Sequence, residues 1–148
     1  MEDRKRYPLV AGVVVALALG GCGSGGGGGS SGTVSDPAAV RTAVAEFSKA
    51  FGAGDGKAAC TLMTPDAQAA FLKRVKSFTP VPDCAEAIAS VHGEAGAQVN
   101  IAFADATVSK VTVTGGSATA VLTASGHSAV AKLVKQGGAW KLTGVPGI

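Results

Sequence analysis

Behind an apolar N-terminal run, apolar positions recur every three or four residues up to about residue 93 and every second residue after it. Asp36-Pro37 has the form of a helix start, Asp as cap and Pro at the first helical position. Val40, Val44, Phe47 and Phe51 then form one stripe, which Gly52 and Gly54 end. Asp55 opens a short helix carrying Ala58, Ala59, Cys60, Leu62 and Met63. Thr64-Pro65 opens a third, with Ala67, Phe71, Leu72, Val75 and Phe78 expected inward. Lys73, Arg74 and Lys76 fall off that face, as a solvated surface or as a contact for anionic lipid headgroups. Residues 79–82 break the pattern, and Asp83 with Glu86 stands in capping-box positions for a fourth helix ending near Gly93.

The alternating half begins with Val99, Ile101 and Phe103, read as extended. Strands are expected over Ala106–Thr114, Ser117–Ser125, Ser128–Lys135 and Ala139–Val145. Glycine turns at Gly115-Gly116, Gly126 and Gly137-Gly138 separate them, so successive strands pair antiparallel. Helices first and strands afterwards predict an α+β domain, its N-terminal helices packed on one face of a curved, four-stranded antiparallel sheet.

The N-terminus is of another kind. Met1–Tyr7 is charged and Leu9–Gly20 is apolar, about a dozen residues against the roughly 20 that span a bilayer. That length fits the apolar core of an export signal, with an uncleaved short anchor as the competing reading. Leu19-Gly20-Gly21-Cys22 resembles the lipobox of bacterial lipoproteins. The resemblance implies a diacylglycerol thioether on Cys22, cleavage between Gly21 and Cys22, and a protein held by lipid at the extracytoplasmic face of the cell membrane. Two acyl chains suffice for stable anchoring where one does not. An ordinary secretory cysteine is the plainer alternative for Cys22. Gly23–Gly32 is a Gly/Ser tether with a span of about 17 Å. No Gly-Lys-Ser/Thr follows these glycines, so they do not have the form of a phosphate loop. The chain thus divides into a signal (1–21), a lipidated Cys with linker (22–32) and a domain (33–148).

The chain carries 13 basic and 10 acidic residues; without Arg4, Lys5, Arg6, Glu2 and Asp3, 10 basic and 8 acidic remain. A net charge of +2 with 5 % aromatics over the chain excludes a nucleic-acid surface, which needs dense cations and stacking platforms.

The order of elements resembles the nuclear-transport-factor-2-like (SnoaL-like, cystatin-like) superfamily, and more closely the actinobacterial-type lipoproteins that carry such a domain. The residues concerned are Phe51-Gly52-Ala53-Gly54-Asp55, Ala59–Pro65, Asp83-Cys84, the Val-rich meander and Gly137-Gly138-Ala139-Trp140-Lys141-Leu142. This implies a helix–sheet cavity.

Three cysteines allow three pairings, and giving Cys22 to lipid, as the lipobox implies, leaves Cys60–Cys84. An exported pair is expected to bridge, at roughly 3 kcal/mol for a loop of about 25 residues. Zinc is the competing reading, poorly served by two cysteines without CxxC spacing. A thiol nucleophile has less support, with no adjacent His.

Enzymes of the ketosteroid-isomerase type use a carboxylate base and a tyrosine donor. The one tyrosine here, Tyr7, lies in the signal. The candidate acid–base residues are Asp105, His92 and His127, each without a visible partner, so that surface or turn placement explains them as well. No cofactor or metal is expected. Two functions follow: a non-catalytic binding module for a small hydrophobic ligand or an envelope protein, or a SnoaL-like isomerase, lyase or hydrolase working in the cavity.

Overall fold

The computed structural model describes residues 36–148, and for 99–101 and 104 only the backbone; the expected signal, Gly21, Cys22 and the tether lie outside the described residues. Five helices precede four strands: α1 (Asp36–Gly52), α2 (Gly56–Thr61), α3 (Pro65–Lys76), α4 (Cys84–Ala95), α5 (Ala97–Ala104), β1 (Thr107–Thr114), β2 (Ser117–Ala124), β3 (His127–Gln136) and β4 (Ala139–Leu142). The α+β class and the succession of helices before strands are as the pattern predicts.

Side-chain caps start three helices at the positions expected from the sequence. The first amides of a helix have no intrahelical acceptor, and a preceding Asp or Thr supplies one. Ala58 N donates to Asp55 at 3.0 Å, Ala67 N to Thr64 at 3.2 Å, and Glu86 N to Asp83 at 2.9 Å. Asp36 departs from its expected capping role. It lies within α1, and its carboxylate turns to the sheet, accepting from Lys135 Nζ at 2.6 Å and Trp140 Nε1 at 3.4 Å. The Lys135 hydrogen bond is the main reason its carboxyl is held below the ordinary carboxylate value.

The sheet runs in the order β1-β2-β3-β4, antiparallel throughout. Two-residue turns join the last three strands. In one, Ser125 and Gly126 have φ of 49° and 79°; in the other, Gly137 and Gly138 have 57° and 82°. Both central residues positive is the condition of a hairpin turn that matches strand twist. β4 is shorter than expected, because the chain leaves the ladder after Leu142. Its outer edge is occupied: Leu142 N donates to Leu62 O at 2.8 Å, and Thr64 N donates to Leu142 O at 2.9 Å. On β1 the register shifts between Val108 and Lys110, and Arg41 Nη1 from α1 donates to Val108 O at 2.5 Å.

One face of the sheet carries the core. Ala118, Ala120 and Leu122 on β2, Ala131 and Leu133 on β3, and Trp140 and Leu142 on β4 are buried, at the alternate positions a half-covered sheet requires. The alanines let α1 lie close, with Val40, Val44, Phe47 and Phe51 buried against them. Phe51 is the hub of the aromatic packing, 5.5 Å from Phe47, 6.0 Å from Phe71 and 4.8 Å from Phe103 by ring centroids.

Two further expectations are corrected. Residues 97–104 are helical, not extended. Residues 99 and 103 are four apart as well as even-spaced, so a short apolar run satisfies either period; Ala97, Ala102 and Ala104 then favour the helix. Phe78 is not inward: it is 82 % exposed, because α3 ends at Lys76 and the turn that follows points it out. Among the described residues no helix is long and apolar enough to cross a membrane.

Candidate functional site

A cavity of about 560 Å³ opens where α5 meets the turn end of the β2–β3 hairpin and the C-terminal segment. The helix contributes Gln98, Ala102 and Phe103, with Ala106 just beyond it. The hairpin contributes Leu122, Ala124, Ser125, His127, Ser128 and Ala129, and residues 146–148 close a third side. The register explains the arrangement: Leu122 pairs with Ala129 and Ala124 with His127, on the face that carries the core. The core face thus continues past Leu122 as one wall of the cavity, with α5 as the wall facing it.

Its chemistry is one-sided. Alanines, Phe103, Leu122 and Ile148 make most of the wall, and Gln98, Ser125, His127 and Ser128 supply polar groups. Among the described residues His127 is the only ionisable side chain in the lining. Ser125, at φ 49°, is the one non-glycine residue with positive φ among the described residues, and it sits in this wall.

The candidate acid–base residues are not brought together. His127 begins β3 at the cavity and is exposed. Asp105 follows α5 as its C-cap, exposed and outside the lining. His92 lies in the last turn of α4 with its ring against the α1–α2 turn, where a Cβ on Gly54 would come within 2.7 Å of its Cγ. That ring is half-buried rather than on the surface, and its Nδ1 is buried with no hydrogen-bond partner. Among the described residues no three His, Cys, Asp or Glu side chains gather as a metal site.

Cys60 and Cys84 form a disulfide with Cα atoms 6.3 Å apart, joining α2 to the first residue of α4. Both are buried, and the Gln68 side chain donates to Cys60 O at 2.7 Å. The bridge stands away from the cavity lining and takes no part in it.

Sequence reasoning misses most of the lining. Ala102 and Phe103 fall in the stretch expected to be extended, with Gln98 just before it, and Ser125 and Ile148 carry no signal. The one available cue is the alternation Ala120, Leu122, Ala124, which continues the core face past the last bulky residue. Compared with known proteins, the chain matches no family model and no curated sequence.

Proposed function

We propose that this protein is an exported lipoprotein, held at the extracytoplasmic face of the cell membrane by acyl chains on Cys22, whose nuclear-transport-factor-2-like domain binds a small apolar molecule without transforming it. The observation that carries the binding reading is the cavity: about 560 Å³, mainly apolar, with one ionisable side chain in its wall. Volumes of roughly 300–1,000 Å³ lined mostly by apolar groups suit small-molecule ligands. General acid–base chemistry needs a partner to set the proton state of the working group. Among the described residues no acidic side chain and no second imidazole joins His127 in the lining, which favours binding over catalysis. The few polar side chains fit an amphiphile, its apolar body along Phe103 and Leu122 and its polar end toward Ser125 and His127. Helices before a four-stranded antiparallel meander, with a cavity between them, is the arrangement on which the superfamily reading rests. The Cys60–Cys84 bridge suits the oxidising side of the membrane.

The test uses the membrane-extracted protein and a dansyl-labelled undecanoic acid as probe. Titration is expected to give saturable fluorescence enhancement. Ala129→Phe, which fills the cavity from β3, is expected to weaken binding at least tenfold with the melting temperature little changed. Equal affinity in parent and variant would place binding elsewhere and remove the cavity reading. A shift to the N-terminus at Met1 in the intact mass would remove the lipoprotein reading independently.

A further inference from the structure

We infer that the C-terminal end of α3 and the turn after it form a docking surface for an anionic lipid bilayer, which seats the domain on the membrane in one orientation. Lys73, Arg74 and Lys76 crowd the last turn of α3, and all three are exposed. Among the described residues the one ion pair is Lys135–Asp36, so none of these cations is neutralised by a carboxylate. Cations at a helix C-terminus complement its dipole, which accounts for their charge but not for what stands beside them. Phe78, two residues on, is 82 % exposed, the most exposed large apolar side chain described.

The backbone holds Phe78 outward. Phe78 N and Thr79 N both donate to Val75 O at 2.9 Å, and Val81 returns to pack against the core. Glu94, on α4, is the acid that touches this turn. Its carboxylate accepts from the Thr79 hydroxyl at 2.8 Å, with the Ser90 hydroxyl at 3.4 Å, and so fixes the turn. The result is an exposed aromatic ring on a hydrogen-bonded turn, within five residues of three exposed cations on long apolar stems. An anionic membrane interface takes that combination: headgroups meet the cations, and the ring enters the boundary below them. Arg74 shares a cleft with Ile148, which also lines the ligand cavity. Docking therefore brings the cavity's C-terminal wall beside the lipid.

The inference draws on the lipid-anchor reading only for local concentration, and the test separates the two. Phe78→Trp is made in the membrane-extracted protein, and Trp140 emission from the parent, whose indole is buried, is subtracted. Vesicles carry brominated acyl chains, either all phosphatidylcholine or with 30 % phosphatidylglycerol by design. On the anionic vesicles the emission of the indole introduced by Phe78→Trp is expected to shift to the blue and be strongly quenched, and much less so on the neutral ones. Each cation removed among Lys73, Arg74 and Lys76 should lower the docked-to-undocked ratio roughly fivefold, so K73S/R74S/K76S should abolish quenching. High salt should act the same way. Thr119→Trp, on the exposed face of β2, should stay unquenched. Vesicle-bound Phe78→Trp protein whose introduced indole is unquenched in both compositions overturns the inference, as does equal quenching at positions 78 and 119. Protein that does not float with neutral vesicles at all, yet docks on anionic ones, sinks the anchor and leaves the docking surface standing.

Discussion

Of the described glycines, Gly56 leaves the least room for a side chain. It is the first residue of α2, buried, and packed directly on the α4 backbone at Ala85. A Cβ at this position would meet the Ala85 carbonyl oxygen in hard overlap and stand 2.7 Å from its C and Cα atoms. These atoms are main chain, so no rotamer change relieves the overlap; α2 and α4 have to move apart. Overpacking of this kind costs about 1–3 kcal/mol, and here the upper half applies. Gly→Ala in a helix returns up to about 1 kcal/mol, less at the first turn. The net cost is about 1–2 kcal/mol, a drop of roughly 4–10 °C in melting temperature for a domain of this size. The Cys60–Cys84 bridge pins the same two helices. In a Cys60→Ala/Cys84→Ala background α4 is freer to give, so Gly56→Ala should cost less there. The double-mutant cycle should show sub-additive coupling of about 0.5–2 kcal/mol, bounded above by the Gly56→Ala cost itself. Thermal melts of the four proteins under non-reducing conditions measure both quantities. A Gly56→Ala melting temperature at or above the parent's refutes the close approach, and strict additivity refutes the coupling to the bridge.

Phe51→Ala should cost about 3–5 kcal/mol in urea unfolding, since it empties the space between three aromatic rings, and should raise amide exchange in α5 through lost contact with Phe103. The Asp36 carboxyl is depressed by Lys135, so its contribution is present above the unfolded carboxylate value near pH 4 and is lost as pH falls through the lower folded value. Asp36→Asn should flatten that part of an acid titration of stability, while an unchanged acid limb would show that the pair is idle. Asp83→Ala removes the α4 cap and should cost about 1 kcal/mol, read by chemical unfolding. Mass spectrometry of the membrane-extracted chain should find a diacylated N-terminus at Cys22.

The helix starts are legible because capping is local: Asp55, Thr64 and Asp83 each act within three residues of themselves. The meander is legible for the same reason, since glycine turns and alternation are short-range signals. What the sequence does not disclose lies at longer range. Asp36 reads as a cap until a partner 99 residues away claims its carboxylate. Phe78 reads as the next member of an inward stripe, but the helix ends first. Residues 97–104 fit two periods, and the packing of Phe103 on Phe51 belongs to the helical one. The cavity is assembled from three segments meeting at one end of the sheet, so no single stretch could announce it.

The two edges of the sheet are closed by different means, and this bears on how the protein behaves when many copies are crowded together. Beside β4, Leu62–Thr64 takes up the ladder groups; beside β1, a register shift, Lys110 and the guanidinium of Arg41 spoil the template that a neighbouring strand would need. The guarded strand, TVSKVTVT, is rich in Val and Thr and would otherwise be the segment most open to polymerising edge to edge. Arg41, 67 residues earlier in the chain than the carbonyl it covers, thus occupies an acceptor that an added strand would need. Its loss would leave a stable fold with one sticky margin.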